Sequence, residues 1–175
     1  MAEDARSAIR AARRSDLHRL ADLRMRCLGE AAHAEARLRL QPDARARTEQ
    51  ALPVWMGHDD RVLIVAEGQA PAAEEGEEAP AAPLVGYAMG LLNVAPPVLQ
   101  SQHVGEILEV YLEPEARGRG LGEALVNVLT TALKGRGAQV LRAAVPVANE
   151  AARAQLARAG YLPLQRILER SLDAG

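Results

Sequence analysis

The spacing of apolar and polar residues changes along this chain, and each change marks an element. Arg61 to Glu67 (RVLIVAE) and Leu84 to Leu92 (LVGYAMGLL) are short, nearly continuous apolar runs, which predicts two buried strands. Glu106 to Leu112 mixes β-branched, aromatic and aliphatic residues and reads as a third, ended by Pro114, which has no N–H for a ladder. Beyond it Leu121, Ala124, Leu125, Val128, Leu129 and Ala132 keep the i, i+3, i+4, i+7 spacing of a helix that runs to Lys134 and stops at Gly135 and Gly137. Gln139 to Val145 is a further strand, and Asn149 to Ala159 a helix closed by Gly160. Tyr161 to Leu172 supplies one or two last strands.

Upstream, Ser7 to Ala12 reads as a short edge strand, and Ser15 with Asp16 caps a first helix buried through Leu17, Leu20, Ala21, Cys27 and Leu28. From Ala31 to about Met56 the pattern is helical again, broken near Pro42 and weakly near Pro53, so two pieces are expected. The order is β-α-α-β-β-β-α-β-α-β(-β). A strand, helix and strand of this length form a right-handed crossover between parallel strands, so the fold class is α/β (α+β) with a mixed sheet.

Two connections stand apart. Gly68 to Pro83 is built from Ala, Pro, Gly and Glu, with Glu74, Glu75, Glu77 and Glu78 and no basic residue. It buries too little apolar surface to offset its ordering entropy and is expected to be a mobile loop, either a tolerated insertion or an acidic lure for cationic substrates. Asn93 to Val104, with Pro96-Pro97, leads into the third strand and carries His103.

Composition narrows the picture. A chain of 175 residues suits a single domain spanning 1–175. Phe is absent, so Leu, Val and Ala must fill the core. A net charge of −2 gives no long-range attraction to nucleic acid or anionic lipid, and the arginines are interleaved with carboxylates as on a solvated surface. No apolar run reaches the ~20 residues a membrane span needs, and residues 1 to 15 lack a signal-peptide core, which makes the expected location cytoplasmic. Cys27 is the only cysteine, reads as core, and has no internal disulfide partner. No metal is implied.

The stretch EARGRGLG, from Glu115 to Gly122, is where chemistry enters. A strand, a glycine turn and a helix N-terminus make an anion site, because the first N–H groups of a helix lack acceptors and the peptide dipoles leave positive charge there. Gly118, Gly120 and Gly122 let the main chain come close to a ligand, and Arg117 and Arg119 add formal charge. A dinucleotide fingerprint would need glycine where Glu123 stands, and the Gly-Lys-Ser/Thr of a P-loop is missing. Read on its own, the turn is also consistent with a connection that only reverses the chain.

Arg117-x-x-Gly120-x-Gly122 after a strand resembles the acyl-CoA signature Q/R-x-x-G-x-G/A of the GNAT superfamily of N-acetyltransferases, and VYLEPEARGRGLG resembles that family's strand, proline turn and pyrophosphate loop throughout. Asn149, Ala152, Gly160 and Tyr161 are similar to its N-x-x-A…G-F/Y segment, so the likeness covers roughly 106 to 163. It implies a GNAT fold: a mixed sheet of six to seven strands, about four helices, and central strands at 106–112 and 139–145 that splay around the pantetheine arm. It implies acetyl-CoA as co-substrate, a small amine or peptide amine as acceptor, and the possibility of a homodimer. Cofactor contacts are implied at Val110, Tyr111, Leu112, Arg117, Gly118, Arg119, Gly120, Leu121, Gly122 and Asn149. Asn149 also has a purely structural role open to it as a helix N-cap.

Acetyl transfer needs a proton acceptor for the attacking amine, and Glu109 is the candidate base, with Glu106 and His103 behind it. Plain alternation sets Ile107, Glu109 and Tyr111 on one side and Leu108, Val110 and Leu112 on the other, although a β-bulge, common in this strand of the family, would shift the phase. Apolar neighbours would raise the carboxyl pKa toward the range of a working base. A main-chain N–H from Tyr111 to Leu112 matches the family's oxyanion donor. Leu156 stands where many members have a tyrosine thought to protonate the leaving thiolate. That departure keeps a second reading in play, a non-catalytic acyl-CoA-binding or regulatory module on the same scaffold.

Overall fold

The computed structural model describes residues 9–35, 38–70, 81–94, 103–146, 149–165 and 167. The chain divides into two compact units, Met1–Ala144 and Val145–Gly175. The first holds β1 (Ile9–Ala11), α1 (Leu17–Ala34), α2 (Ala44–Met56), β2 (Arg61–Glu67), β3 (Leu84–Val94), β4 (His103–Leu112), α3 (Leu121–Gly135) and β5 (Val140–Ala143); the second holds α4 (Glu150–Arg158).

The sheet order is β1-β2-β3-β4-β5, antiparallel except for the β4–β5 pair. That parallel pair is the one joined by a helix, as the expected crossover requires. Among the described residues the sheet has five strands, where six to seven were expected. The last expected strand does not form over 161–165, because Pro163 removes a ladder donor there; 166 and 168–172 lie outside the described residues. Residues 7 and 8 of the expected edge strand, 71–80 of the acidic loop and 95–102 of the Pro96-Pro97 link also lie outside them.

At the N-terminal side the break between the helices falls after Ala34, and Pro42 sits in the turn that precedes α2. Pro53 lies in the last turn of α2, where its carbonyl still accepts the Gly57 N–H at 3.2 Å. Asp16 precedes α1 as expected, but its carboxylate turns back to the Arg13 N–H at 2.7 Å and to both terminal nitrogens of Arg10 at 2.7 and 3.0 Å. It therefore ties β1 to the start of α1 instead of capping the helix. The Arg10 hydrogen bonds, outweighing burial, hold its carboxyl below the usual range.

Two helices cover one face of the sheet and one covers the other. Leu20, Ala21 and Leu23 of α1 and Leu52 of α2 pack with Leu63, Val65, Tyr87, Met89 and Tyr111. On the opposite face the apolar stripe of α3 buries Leu125, Leu129 and Leu133 completely. Gly90 marks that face, since a Cβ there would lie 3.2 Å from both Leu129 and Leu133, and Gly105 marks it again beside Leu133 and Leu141.

Between these layers β4 changes phase. Met89 pairs with Glu109 while the next residue, Gly90, pairs with Ile107, so Leu108 is an extra residue, a β-bulge. Ile107, opposite Gly90, faces α3, whereas Glu109 and Tyr111, opposite Met89 and Tyr87, face α1. The plain alternation that grouped Ile107 with Glu109 and Tyr111 is thus corrected by one inserted residue.

Candidate active site

The C-terminal half of β4 has one paired edge and one open edge. Its pairing with β5 runs from Val104↔Val140 to Ile107↔Ala143, and β4 then continues five residues to Leu112 past its last β5 partner. On the paired edge, Glu113 donates its N–H to the Val85 carbonyl at 2.8 Å. Antiparallel neighbours alternate in direction, so Tyr111, two residues before Glu113, also points its amide at β3, while Val110 and Leu112 point theirs to the open edge. The Leu112 carbonyl confirms that phase by accepting Arg117 Nε at 2.9 Å, away from β3. Of the expected oxyanion backbone, Leu112 presents its N–H to the open side and Tyr111 does not. The side chains of Leu108 and Val110, 41% and 37% exposed, give this edge an apolar wall.

Past Leu112 a 3-10 turn at Pro114–Ala116 leads into the glycine turn. Gly118 and Gly120 have φ of +77° and +79°, in the left-handed region that a Cβ resists, and nothing lies within 4 Å of where those Cβ atoms would stand. Gly122 has no such angle, and a Cβ there would make an ordinary 3.5 Å contact with Leu112, which suits the Gly/Ala of the motif. Gly120 is the N-cap of α3 and offers no side chain to cap it. Ala124 is the first α3 residue whose N–H bonds back into the turn, to the Gly120 carbonyl at 3.0 Å, which leaves Leu121, Gly122 and Glu123 as orphan donors. Two exposed glycines, uncapped amides and a helix dipole suit a pyrophosphate.

Glu109 lies in a polar cluster, not the apolar surround expected from its neighbours in sequence. Arg24 of α1 donates from Nε to both carboxylate oxygens, at 3.2 and 3.1 Å, and from Nη2 to Oε1 at 2.8 Å. The Tyr87 hydroxyl donates to Oε2 at 2.8 Å. Burial first, and then the charge of Glu109, pushes the Tyr87 phenol far above its ordinary value, so Tyr87 keeps its proton. The hydrogen bond to Glu109 raises the Arg24 guanidinium in turn. Burial also raises the Cys27 thiol, which fits a neutral packing side chain beside Tyr87.

The other acid and base candidates are elsewhere. Glu106 accepts from Asn93 Nδ2 at 3.3 Å. His103 begins β4, six residues before Glu109, or about 20 Å at ~3.3 Å per residue.

Arg117 is engaged by the protein itself. Its Nη2 meets both oxygens of Glu30 at 2.8 Å, its guanidinium lies 5.6 Å above the Tyr111 ring, and Tyr111 donates to Glu30 at 3.2 Å. Arg119 is exposed. α1 adds a further link through Arg19 and Arg26, which meet Glu113 at 2.7 and 3.0 Å. Arg24, Tyr87, Glu30 and Glu113 were not singled out from the sequence. The available signal was the run of charges on α1 between its apolar positions, which resembles any solvated helix face.

In the second unit Asn149 is the N-cap of α4, its Oδ1 accepting the Ala152 N–H at 3.1 Å. Leu156 lies on α4, half-buried, and its carbonyl accepts the Tyr161 N–H at 3.0 Å.

Residues 17–161 match the model of the acetyltransferase (GNAT) family. A curated relative, an uncharacterised N-acetyltransferase of Methanocaldococcus jannaschii, is 35% identical over 63 residues, which span 36% of this chain and only 28% of the relative. Among solved structures, a Bacillus halodurans protein superposes with a TM-score of 0.72 at 16% identity, over 94% of this chain and 99% of that one. An aminoglycoside N-acetyltransferase solved in complex with CoA gives 0.67 at 14% identity, covering 95% and 94%. Glucosamine-6-phosphate N-acetyltransferase from Arabidopsis thaliana gives 0.66 at 17%, covering 94% and 97%. At such identities the structural likeness is one of fold.

Proposed function

Because this chain belongs to the acetyltransferase (GNAT) family, we propose that it transfers an acetyl group from acetyl-CoA to a primary amine by direct attack within a ternary complex. In this reading 1–175 acts as one acyltransferase domain. The observation that carries it is the open edge of β4 running straight into an uncapped, glycine-lined helix N-terminus. Such an arrangement offers the diphosphate its amides at 120–123 and the pantetheine arm the apolar wall of Leu108 and Val110.

When bound, acetyl-CoA supplies the thioester carbonyl. The Leu112 N–H is the donor for the charge that develops on that oxygen, with Val110 one strand repeat away. Glu109 takes the proton of the attacking amine, and Arg24 and Tyr87 hold its carboxylate in place. Leu156 offers no proton, so the thiolate leaves as such or takes its proton from water.

A second reading, a non-catalytic acyl-CoA-binding module, is favoured by one observation. A carboxylate has about four acceptor positions, and Arg24 and Tyr87 direct four contacts at those of Glu109. The experiment that separates the two is thiol release from acetyl-CoA across a panel of small amines, amino acids, polyamines and peptides. Steady release with any one of them supports the transferase; CoA binding without release supports the module.

A further inference from the structure

We propose that Glu30 is a positioning residue for the acyl-CoA turn, acting through Arg117, so that α1, which packs on the Glu109 face of β4, sets the shape of the CoA-binding backbone. The inference rests on the reading of the turn at 117–122 as the acyl-CoA site.

Packing does not hold this turn. Residues 117–120 are exposed, no atoms crowd Gly118 or Gly120, and the helix that follows has no side-chain cap. Left-handed glycines in open space have many alternative conformations, so a binding-competent shape needs an outside constraint. Arg117 supplies one. Its Nε donates to the Leu112 carbonyl at 2.9 Å, which closes the turn onto the end of β4. Its Nη2 is held by both Glu30 oxygens at 2.8 Å, and Tyr111 reaches the same carboxylate at 3.2 Å. Glu30 thus joins α1, β4 and the turn through one charge.

Two consequences separate this role from the alternatives. The Arg117 charge is already matched by Glu30, which makes Arg117 a tether, with the phosphates left to the backbone amides and Arg119. The pair is also half exposed, at 46% and 50%, so its removal should alter global stability little. A change in CoA affinity without a matching change in melting is therefore the signature of positioning.

The test measures CoA affinity by calorimetry for the wild type, Glu30→Ala, Glu30→Gln, Arg117→Gln and the Glu30→Ala/Arg117→Gln double variant, with melting temperatures and amide exchange at 118–122 in the free proteins. Glu30→Ala is expected to weaken CoA at least about fivefold, with Glu30→Gln intermediate, faster exchange across the turn, and melting within about 2 °C of wild type. The double variant should be no weaker than Arg117→Gln alone, because both substitutions remove one connection. Unchanged or tighter CoA binding by Glu30→Ala would overturn the inference and mark Arg117 as a phosphate ligand that Glu30 restrains. Additive losses would overturn it as well. Failure of the wild type to bind CoA would instead remove the site reading and the inference together.

Discussion

Arg24 and Glu109 face each other across the gap between α1 and β4, with the guanidinium Nη2 2.8 Å from one carboxylate oxygen and Nε shared between both. The carboxylate proposed to accept a proton is thus oriented by a cation from the helix that packs over its strand, 85 residues earlier in sequence.

Glu109→Gln should lower turnover by about 10²–10⁴-fold at neutral pH while CoA affinity holds, the usual contribution of a general base. The substitution also leaves Arg24 without its counter-charge in a part-buried position, so melting must be measured beside it. Turnover equal to wild type, in a folded variant, would move the base to Glu106, His103 or solvent.

Acetyl-CoA and CoA should each raise the melting temperature, and NAD should not. Ligand at a hundredfold its dissociation constant contributes about 2.7 kcal/mol, readily visible in a thermal melt. Absence of a shift with both CoA species would remove the anion-site reading of the glycine turn.

Two glycines of that turn, 120 and 122, should behave unequally. Gly120→Ala forces a Cβ into a φ of +79° and should cost about 1–2 kcal/mol, along with CoA affinity. Gly122→Ala makes only a 3.5 Å contact with Leu112 and should be close to neutral in both. Equal losses at the two positions would contradict the assignment of strain to Gly120.

Leu156→Ala should leave turnover within about tenfold of wild type, roughly 1.4 kcal/mol in the barrier, because no proton is expected to come from that position. Tyr111→Phe and Tyr161→Phe should be similarly mild. A hundredfold loss in either, with CoA binding intact, would identify a tyrosine that has taken over proton donation.

Asp16→Asn should destabilise the fold by about 1–3 kcal/mol at neutral pH, the cost of breaking charged hydrogen bonds in a buried place. Asp16 has its carboxyl lowered by Arg10, so its stabilisation is present above the ordinary value of 3.8 and fades as pH falls through the lower folded value. Wild type and variant should therefore converge in denaturant midpoint below about pH 3.8. A constant gap down to strongly acidic pH would show that the lost interaction is not electrostatic.

Much of this architecture is legible in the residues themselves. RVLIVAE and LVGYAMGLL are strands because their apolar runs are too short for helices and flanked by breakers, and the stripe from Leu121 to Ala132 does bury its Leu125 and Leu129. The turn was readable because glycine takes up left-handed angles such as those at 118 and 120 at the least cost. What escaped is what depends on pairing at long range. Arg24, Arg19 and Glu30 look alike on a polar helix face, and only the docking of α1 decides which of them meets Glu109, Glu113 or Arg117. The apolar surround expected for Glu109 failed for the same reason, since its immediate neighbours are apolar in sequence while its contacts come from α1 and β3.

The extra residue at Leu108 makes β4 a strand of two reading frames. Up to Ile107 its odd-numbered positions serve α3, and from Glu109 onward they serve α1, so one ribbon contributes to both layers in turn. Deleting Leu108 would restore plain alternation, because Ile107 would stay opposite Gly90 and Glu109 opposite Met89, so the acid, the Tyr111 ring and the Leu112 amide would keep their faces. The loss would fall on the shape of the strand. A bulge bends its strand and increases the local twist, and this one follows directly after the last β5 partner, Ile107. The extra residue thus sets the direction in which β4 leaves β5, and a strand without it would run straighter at the point where its edge opens.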